Sequence, residues 1–127
     1  MVPRGADAYR KAEALSRSPV ELVVMLYDGA LRFVAQAEAA AADKRARSRA
    51  LSRAMAIISE LHNTLNVREG GDVAAELDRL YSFMHGRLID VTMKGDTAAL
   101  EDVRKVLITL RDGWSQVAST TGSALKP

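Results

Sequence analysis

The placement of proline constrains the fold of this chain more than any other feature of its sequence. Its 3 prolines stand at positions 3, 19 and 127, so none interrupts the span from Val20 to Lys126. Proline removes a backbone hydrogen-bond donor and clashes with the preceding helical turn, so its absence leaves this span open to long helices. Alanine is abundant and no sustained alternation of apolar and polar residues occurs, which argues against strands. The sequence therefore predicts an all-α protein.

Glycines and charges divide the span into helices. The breakers are Gly70-Gly71, Gly95 and the basic stretch after Asp43, and they leave four segments of about 20 residues, each roughly 30 Å long as a helix. Short connections make neighbouring helices antiparallel. We predict an antiparallel up-down four-helix bundle over residues 18–118, preceded by a short helical segment within 1–17 and followed by a flexible tail over 119–127.

Capping residues locate the ends of these helices. Ser18, Pro19 and Glu21 form a capping box with proline at the first helical position, which starts helix 1. The predicted helices run from Ser18 to about Ala42, from about Ser48 to Asn66, from Asp72 to Lys94, and from Asp96 to about Ala118.

Composition excludes several classes of function. The 18 Lys+Arg nearly balance 16 Asp+Glu, for a net charge of +2, which gives little support for nucleic-acid binding. The absence of cysteine excludes disulfides and thiol catalysis. No run of about 18 apolar residues occurs, so we expect no membrane insertion. The 48% hydrophobic and 27% charged residues are typical of a soluble globular protein rather than a disordered one.

Helix 1 is more apolar than a corner helix of a bundle requires. Its polar stripe holds only Glu21, Asp28, Arg32 and Gln36, and the rest is apolar over roughly 220°. In one interpretation helix 1 is central and is covered by the other helices and the N-terminal segment. In the other, part of the arc is a groove for a partner helix.

The residues that carry chemistry form no recognisable catalytic or metal pattern. His62 and His85 fall at the edges of apolar faces, and no His-x-x-x-His or Glu-x-x-His pair exists. The glycines match no phosphate-binding loop. Asp28 and Asp90 are isolated carboxylates on separate helices. We therefore predict no enzymatic activity, no metal and no cofactor.

The stretch DKRARSRALSR, residues 43–53, is strongly basic. It could contact phosphates or anionic lipid, but no aromatic residue is interleaved with its cations, which weakens an interpretation as a single-strand nucleic-acid site. The simpler interpretation is a solvated turn between two helices.

Several ordered motifs resemble one protein family. The first is SPVELVVMLYDGALRFV at Ser18 to Val34, with Tyr27 inside a Met-Leu-Tyr-Asp-Gly stretch. The others are DAYRK around Tyr9, AIISEL ending at Leu61, LYSFM at Leu80 to Met84, GDTAALEDV at Gly95 to Val103, and LRDGWSQV at Leu110 to Val117. Together they resemble the flagellar secretion chaperone FliS family over nearly the whole chain.

The resemblance implies a function, a compartment and two partners. It implies a cytoplasmic export chaperone that binds the disordered C-terminal segment of flagellin, prevents its premature polymerisation and delivers it to the flagellar type III export gate. Coupled folding of such a client requires a large apolar contact surface. The candidate partner-binding residues are Leu22, Leu26 and Phe33, with Ile57, Leu61 and Phe83 as neighbours, and Tyr9 as an N-terminal plug that competes with the client.

Two other functions stay open from the residues alone. The chain could be a structural bundle that forms a homodimer through helix 1 and has no disordered client. It could also be an anion-binding module, in which case binding through Arg45 to Arg53 would depend steeply on salt.

Overall fold

The computed structural model of the chain describes residues 18–40, 42–65 and 67–125. Regular structure in these ranges is entirely helical, which confirms the predicted fold class. The helices are α1 (Pro19–Ala39), α2 (Lys44–Asn63), α3 (Val67–Lys94) and α4 (Ala98–Leu125). The short helical segment predicted within residues 1–17 lies outside the described residues, as does Tyr9.

The capping box at the start of α1 forms as predicted. Ser18 adopts an extended conformation as the N-cap, and its Oγ accepts a hydrogen bond of 3.2 Å from the backbone N–H of Glu21. Pro19 occupies the first helical position, where its missing N–H leaves no intrahelical bond unmade. Three residues within one helical turn therefore fix where the bundle begins.

The connection between α1 and α2 differs from the prediction. Helix α1 ends at Ala39 rather than near Ala42, and α2 begins at Lys44 rather than near Ser48. Asp43 is the N-cap of α2, and its Oδ1 accepts from the N–H of Ala46 at 3.1 Å. The basic stretch after Asp43 is therefore helical and not a turn. Helix α2 ends at Asn63, earlier than the predicted end at Asn66.

Glycines with positive φ shape both ends of α3. Gly71 has φ 61° and ψ −139°, a conformation that breaks the helix just before the predicted N-cap Asp72, so the first turn from Val67 is set off from the rest. Gly95 has φ 70° and its N–H donates to the carbonyl of Val91 at 3.0 Å, which ends α3 as predicted.

Helix α4 begins at Ala98, just after the predicted cap Asp96, and continues to Leu125. The predicted end near Ala118 was therefore too early. The residues beyond Ala118, which the sequence analysis assigns to a tail, are mostly small and polar and carry no apolar stripe. Helical backbone needs no such stripe when a preceding helix has already nucleated it.

The four described helices form a ring in which each packs against two neighbours. Helix α1 packs against α2 and α4, and α3 packs against the same two helices. Because each connection is short, sequential neighbours run antiparallel. The start of α1, the end of α2, the start of α3 and the last part of α4 consequently meet at one end of the bundle. We call this the cleft end.

The core follows the predicted apolar faces of the helices. Fully buried large side chains come from every helix and include Tyr27, Leu51, Ile58, Met84, Leu88, Leu100, Leu107, Val34, Val91 and Val103. Burial of such side chains contributes roughly 1.5–3 kcal/mol each, which makes this core the main source of stability. No described helix is long and apolar enough to cross a membrane.

Charged residues fasten the opposite end of the bundle, where α3 turns into α4. Arg87 on α3 donates to Asp90 at 2.9 Å and to Asp102 on α4 at 3.1 Å, and its Nη2 lies 3.7 Å from Asp96 in the connection. One guanidinium thus joins both helices and the loop between them, an arrangement that its planar fork of donors favours.

Candidate functional site

A cleft opens at the cleft end of the bundle. Its volume is about 480 Å³, and all four described helices contribute to its walls. It is lined by Val23 of α1, Leu61 of α2 with Thr64 and Leu65 that follow it, Gly70, Val73, Ala74, Leu77 and Tyr81 of α3, and Trp114 of α4. The lining is predominantly apolar, so the cleft suits apolar side chains of a ligand or partner.

The cleft exists because the apolar faces continue to the helix ends, where no fifth element covers them among the described residues. Val73 stands next to the break at Gly71 and is 70% exposed, whereas Leu77, one turn further along α3, is 8% exposed. Apolar exposure therefore increases towards the mouth of the cleft. An exposed apolar patch of this kind marks an interaction site more often than isolated exposed residues do.

Two uncharged tyrosines lie at the floor of the cleft. The hydroxyls of Tyr27 on α1 and Tyr81 on α3 lie 2.6 Å apart, although these two helices are diagonal in the bundle and do not pack directly. Burial raises the pKa of both phenols, and for Tyr27 the hydrogen bond with Tyr81 raises the pKa further. Both side chains are consequently neutral at physiological pH.

A polar cluster ties α2 to α3 beside the cleft. His62 Nε2 lies 2.6 Å from Asp78 Oδ1, and the ring of His62 is stacked on that of His85 with centroids 6.1 Å apart. Ser59 Oγ lies 3.4 Å from His85 Nε2. Burial, followed by the charge of His62, lowers the pKa of His85.

This cluster has no arrangement suited to catalysis or metal binding. The described residues include no group of three His, Asp or Glu side chains that could hold a metal ion. Ser59 Oγ lies within hydrogen-bond distance of His85 Nε2, but no carboxylate among the described residues forms a hydrogen bond with that histidine. The hydrogen bonds join two helices across their interface, which is a structural role.

The residues predicted on helix 1 lie along its boundary with α2. Leu26, Phe33 and Ile57 are partly buried and pack against the core. Leu22 is also partly buried. Gly29 is buried between them, and a Cβ at this position would come within 3.2 Å of Ile57 Cδ1, so glycine permits the two helices to approach closely. We call this boundary the α1–α2 seam.

The remaining predicted site residues are dispersed. Leu61 is only 4% exposed, so it belongs to the core and reaches the cleft from below. Phe83 is 45% exposed on α3, which does not pack against α1, so it is separate from the α1–α2 seam. The structure thus places Phe33 and Ile57 at the α1–α2 boundary, and the helical repeat puts Leu22 and Leu26 on the same face of α1 as Gly29, whereas Leu61 and Phe83 lie elsewhere.

The apolar periodicity predicts that the cleft residues Val73, Leu77 and Trp114 lie on helix faces directed at the core. That assignment gives their direction correctly but not their exposure. The available signal was their position: Val73 stands close to the break before its helix, where neighbouring helices also end. An apolar face that reaches such a position lacks a partner to cover it.

Comparisons with known proteins agree with the motif resemblance. The sequence model of the family described as "Flagellar protein FliS" matches residues 3–121. A flagellar secretion chaperone FliSB of Pseudomonas aeruginosa is 30% identical over 110 residues, which cover 85% of this chain and 87% of that protein. The FliS chaperone of Vibrio cholerae is 32% identical over 117 residues, covering 87% and 86%. That of Salmonella typhimurium is 32% identical over 121 residues, covering 90% of each.

Proposed function

The chain belongs to the FliS family of flagellar secretion chaperones, and from this premise we propose that its client is the C-terminal segment of flagellin. The chain binds this segment in the cytoplasm while it is still disordered and covers the apolar faces through which flagellin polymerises. It then delivers the client to the export gate of the flagellar type III apparatus. Binding and release do this work, and no bond in the client is changed.

The apolar cleft at the end of the bundle is the observation that carries this proposal. A segment that folds on binding loses conformational entropy, at a cost of about 2–5 kcal/mol, and must bury apolar surface to offset it. The cleft offers Val73, Leu65 and Trp114 for that purpose. A volume of about 480 Å³ accommodates only a few side chains, so the cleft anchors one part of the client.

Other contacts extend from this anchor. Leu22, Leu26, Phe33 and Ile57 along the α1–α2 seam, together with the exposed Phe83, are our candidates for them. Leu61 contributes from the base of the cleft.

The N-terminal segment regulates access in this proposal. Residues 1–17 join α1 at Ser18, at the same end of the bundle as the cleft and close in sequence to Val23 in its wall. Tyr9 is proposed as the plug that competes with the client for apolar surface. Its release by the client couples binding to exposure of the segment that contacts the export gate.

Two exposed apolar residues of α3 provide a matched test. Val73 lies at the cleft, and Met93, which is 76% exposed, lies near the other end of the same helix. We expect Val73→Asp to weaken binding of a flagellin C-terminal peptide at least about tenfold, because a carboxylate opposes an apolar ligand. Met93→Asp should leave the affinity unchanged. Isothermal titration calorimetry measures both affinities, and thermal unfolding verifies the folds.

Three outcomes would count against the proposal. Equal affinities of the two variants would show that the cleft is not part of the binding site. If the peptide did not bind to the unaltered protein, flagellin would not be its client. A stable dimer that Met25→Asp dissociates, in a protein that binds no peptide, would favour the alternative of a structural bundle that dimerises through helix 1, where Met25 is 49% exposed.

A further inference from the structure

Most basic side chains on the described helices belong to one of two groups, and Arg47, which has an interaction of its own, is assigned to neither. Those of one group each lie within 3.8 Å of a carboxylate oxygen: Arg79, Arg87, Lys94, Arg104, Lys105 and Arg111. Those of the other group have no carboxylate partner among the described residues: Arg32, Lys44, Arg45, Arg49 and Arg53. The first group is on α3 and α4, and the second is confined to α1 and α2.

Three of the unpaired cations form a straight row. Arg45, Arg49 and Arg53 are four residues apart on α2, so they share one helix face with about 6 Å between successive positions. All three are exposed. The guanidinium of Arg53 lies over the ring of Phe33, 5.7 Å from its centroid, which places this end of the row beside α1. We call these three residues the basic row.

The basic row borders the α1–α2 seam. Along the seam Leu26, Phe33 and Ile57 are only partly buried, and Met25, one turn before Gly29, is 49% exposed. Arg32 extends over the same place, because its Nη2 would lie 3.7 Å from a Cβ at Gly29. The seam is therefore a shallow apolar strip with cations along its edge.

The fold offers these cations no carboxylate among the described residues, and two of them stand where a positive charge is unfavourable. Lys44 and Arg45 stand in the first turn of α2, where the helix dipole already supplies positive potential and favours acidic residues instead. The N-cap Asp43 is acidic, but its carboxylate already accepts a hydrogen bond from the backbone N–H of Ala46. Like charges four residues apart also repel each other along a helix. A row of this kind is stabilised by carboxylates supplied from outside the chain.

We propose that the α1–α2 seam docks an amphipathic helix of a partner protein that carries a row of carboxylates. The apolar face of that helix covers Leu26, Phe33 and Ile57, and acidic residues spaced i, i+4 and i+8 pair with the basic row. Spacing of this kind matches because both partners have the same helical repeat. This inference rests on the proposed function and deepens it, because the seam is among the candidate client contacts and the basic row specifies the charge of the helix that docks there.

The charges of the seam also set the position of the docked helix along α2. The basic row occupies the part of α2 near its start, whereas Glu60, exposed and without an ion-pair partner among the described residues, stands near its end. The carboxylates of the partner helix consequently lie beside Arg45, Arg49 and Arg53. A partner shifted towards the end of α2 would bring its carboxylates towards Glu60.

A helix fits this surface better than an anionic membrane does. Membrane binding of a folded domain requires apolar side chains that protrude between the cations. Here Phe33 and Ile57 are recessed between two helices, and the cations lie in one line rather than across a flat face. A helix lying along the seam can contact the recessed apolar side chains and the line of cations at the same time.

The test uses two synthetic helical peptides of 18 residues with the same leucine face. One carries three glutamates at i, i+4 and i+8, and the other carries glutamine at those positions. At low salt we expect the glutamate peptide to bind the full chain at least about tenfold more tightly, since three exposed ion pairs contribute together. This preference should shrink towards 1 M salt, where charges are screened within about 3 Å.

Charge reversals in the protein identify the surface. Arg49→Glu combined with Arg53→Glu should abolish the preference for the glutamate peptide, and Arg49→Gln combined with Arg53→Gln should reduce it. The matched control, Arg79→Glu combined with Lys105→Glu, alters two exposed cations on α3 and α4 and should retain the preference. NMR shifts induced by the glutamate peptide should centre on Phe33 and Ile57.

Several results would overturn the inference. They are equal affinity for the two peptides, the same loss in the control variant, and NMR shifts that centre on Val73 and Trp114 at the cleft. Binding to phosphatidylserine vesicles that depends on Arg49 and Arg53, without peptide preference, would instead assign the seam to a membrane. The Val73→Asp variant tests whether the flagellin peptide binds at the cleft, whereas the variants of Arg49 and Arg53 test the seam. Failure of one proposal can therefore be distinguished from failure of the other.

Discussion

At the scale of single residues, one hydrogen bond crosses the centre of the bundle. The hydroxyls of Tyr27 and Tyr81 satisfy each other, and both side chains are nearly inaccessible to water, with exposures of 0% and 3%. A buried hydroxyl without a partner is destabilising, whereas removal of both hydroxyls leaves two phenyl rings of nearly the same shape. The pair therefore specifies how the diagonal helices α1 and α3 are aligned.

A double-mutant cycle tests this role. We expect Tyr27→Phe and Tyr81→Phe each to lower the free energy of unfolding by about 1–2 kcal/mol, because each leaves one buried hydroxyl with a lost partner. The double variant should be less destabilised than the sum of the two, with a coupling of about 1 kcal/mol. Urea unfolding monitored by circular dichroism measures all four proteins. Strictly additive losses would show that the two hydroxyls act separately.

Single residues were also where the sequence was most informative. The capping box at Ser18 and the terminating Gly95 depend on local geometry alone, and both formed as predicted. Asp43 is the exception. It has the same capping chemistry as Ser18, but the density of cations after it favours a solvated turn when only the sequence is considered. Its carboxylate caps α2 regardless of them, since a cap acts through the backbone N–H of Ala46.

At the scale of the helix, α3 contains two glycines with opposite structural roles. Gly71 holds a positive φ that other residues rarely adopt, and its conformation sets off the first turn of the helix beside the cleft. Gly86 stands inside the regular helix, where an added Cβ would meet no atom within 4 Å. The positive φ at position 71 favours glycine, whereas the helical conformation at position 86 would accept other residues.

Alanine substitutions should therefore have opposite effects. Gly71→Ala should destabilise the protein by about 1 kcal/mol, because alanine is strained at positive φ. Gly86→Ala should stabilise it by about 0.5–1 kcal/mol through higher helix propensity. Chemical denaturation of the two variants against the unaltered chain gives the sign of each effect. Two effects of the same sign would contradict the conformations assigned to these glycines.

Helix boundaries were predicted less well than helix existence, and the reason is physical. The alanines that follow α1 favour a helix, yet α1 ends at Ala39 because the chain must turn there for α2 to pack against α1. The polar residues after Ala118 carry no apolar stripe, yet α4 continues to Leu125. Tertiary packing shortens one helix, and propagation from a nucleated turn lengthens the other.

At the scale of the whole molecule, apolar faces could be predicted from the sequence but their coverage could not. Periodicity placed Val73, Leu77 and Trp114 on the inner sides of their helices. Only the arrangement of the four helices shows that three helix ends and the last part of α4 meet there and leave a cleft. The α1–α2 seam arises similarly from Gly29 and Ile57, which are far apart in sequence.

The client should stabilise the whole molecule by mass action. A ligand that binds only the folded state at 100 times its dissociation constant adds about 2.7 kcal/mol to the free energy of unfolding. For a domain of this size, that corresponds to an increase in Tm on the order of 10 °C. We expect this shift with a flagellin C-terminal peptide, measured by differential scanning calorimetry. A scrambled peptide of the same composition is the control, and an equal shift with it would indicate non-specific binding.

The fastening of the α3–α4 turn by Arg87 makes the two ends of the bundle unequal in local stability. Asp90, Asp96 and Asp102 converge on that one guanidinium, while the opposite end has an open apolar cleft and a broken first turn in α3. Fluctuations that open a protein begin where contacts are fewest. We therefore expect local opening to begin at the cleft end, while Arg87 still joins α3 to α4 at the other end. Opening of this kind would expose the cleft to a ligand without unfolding of the whole chain.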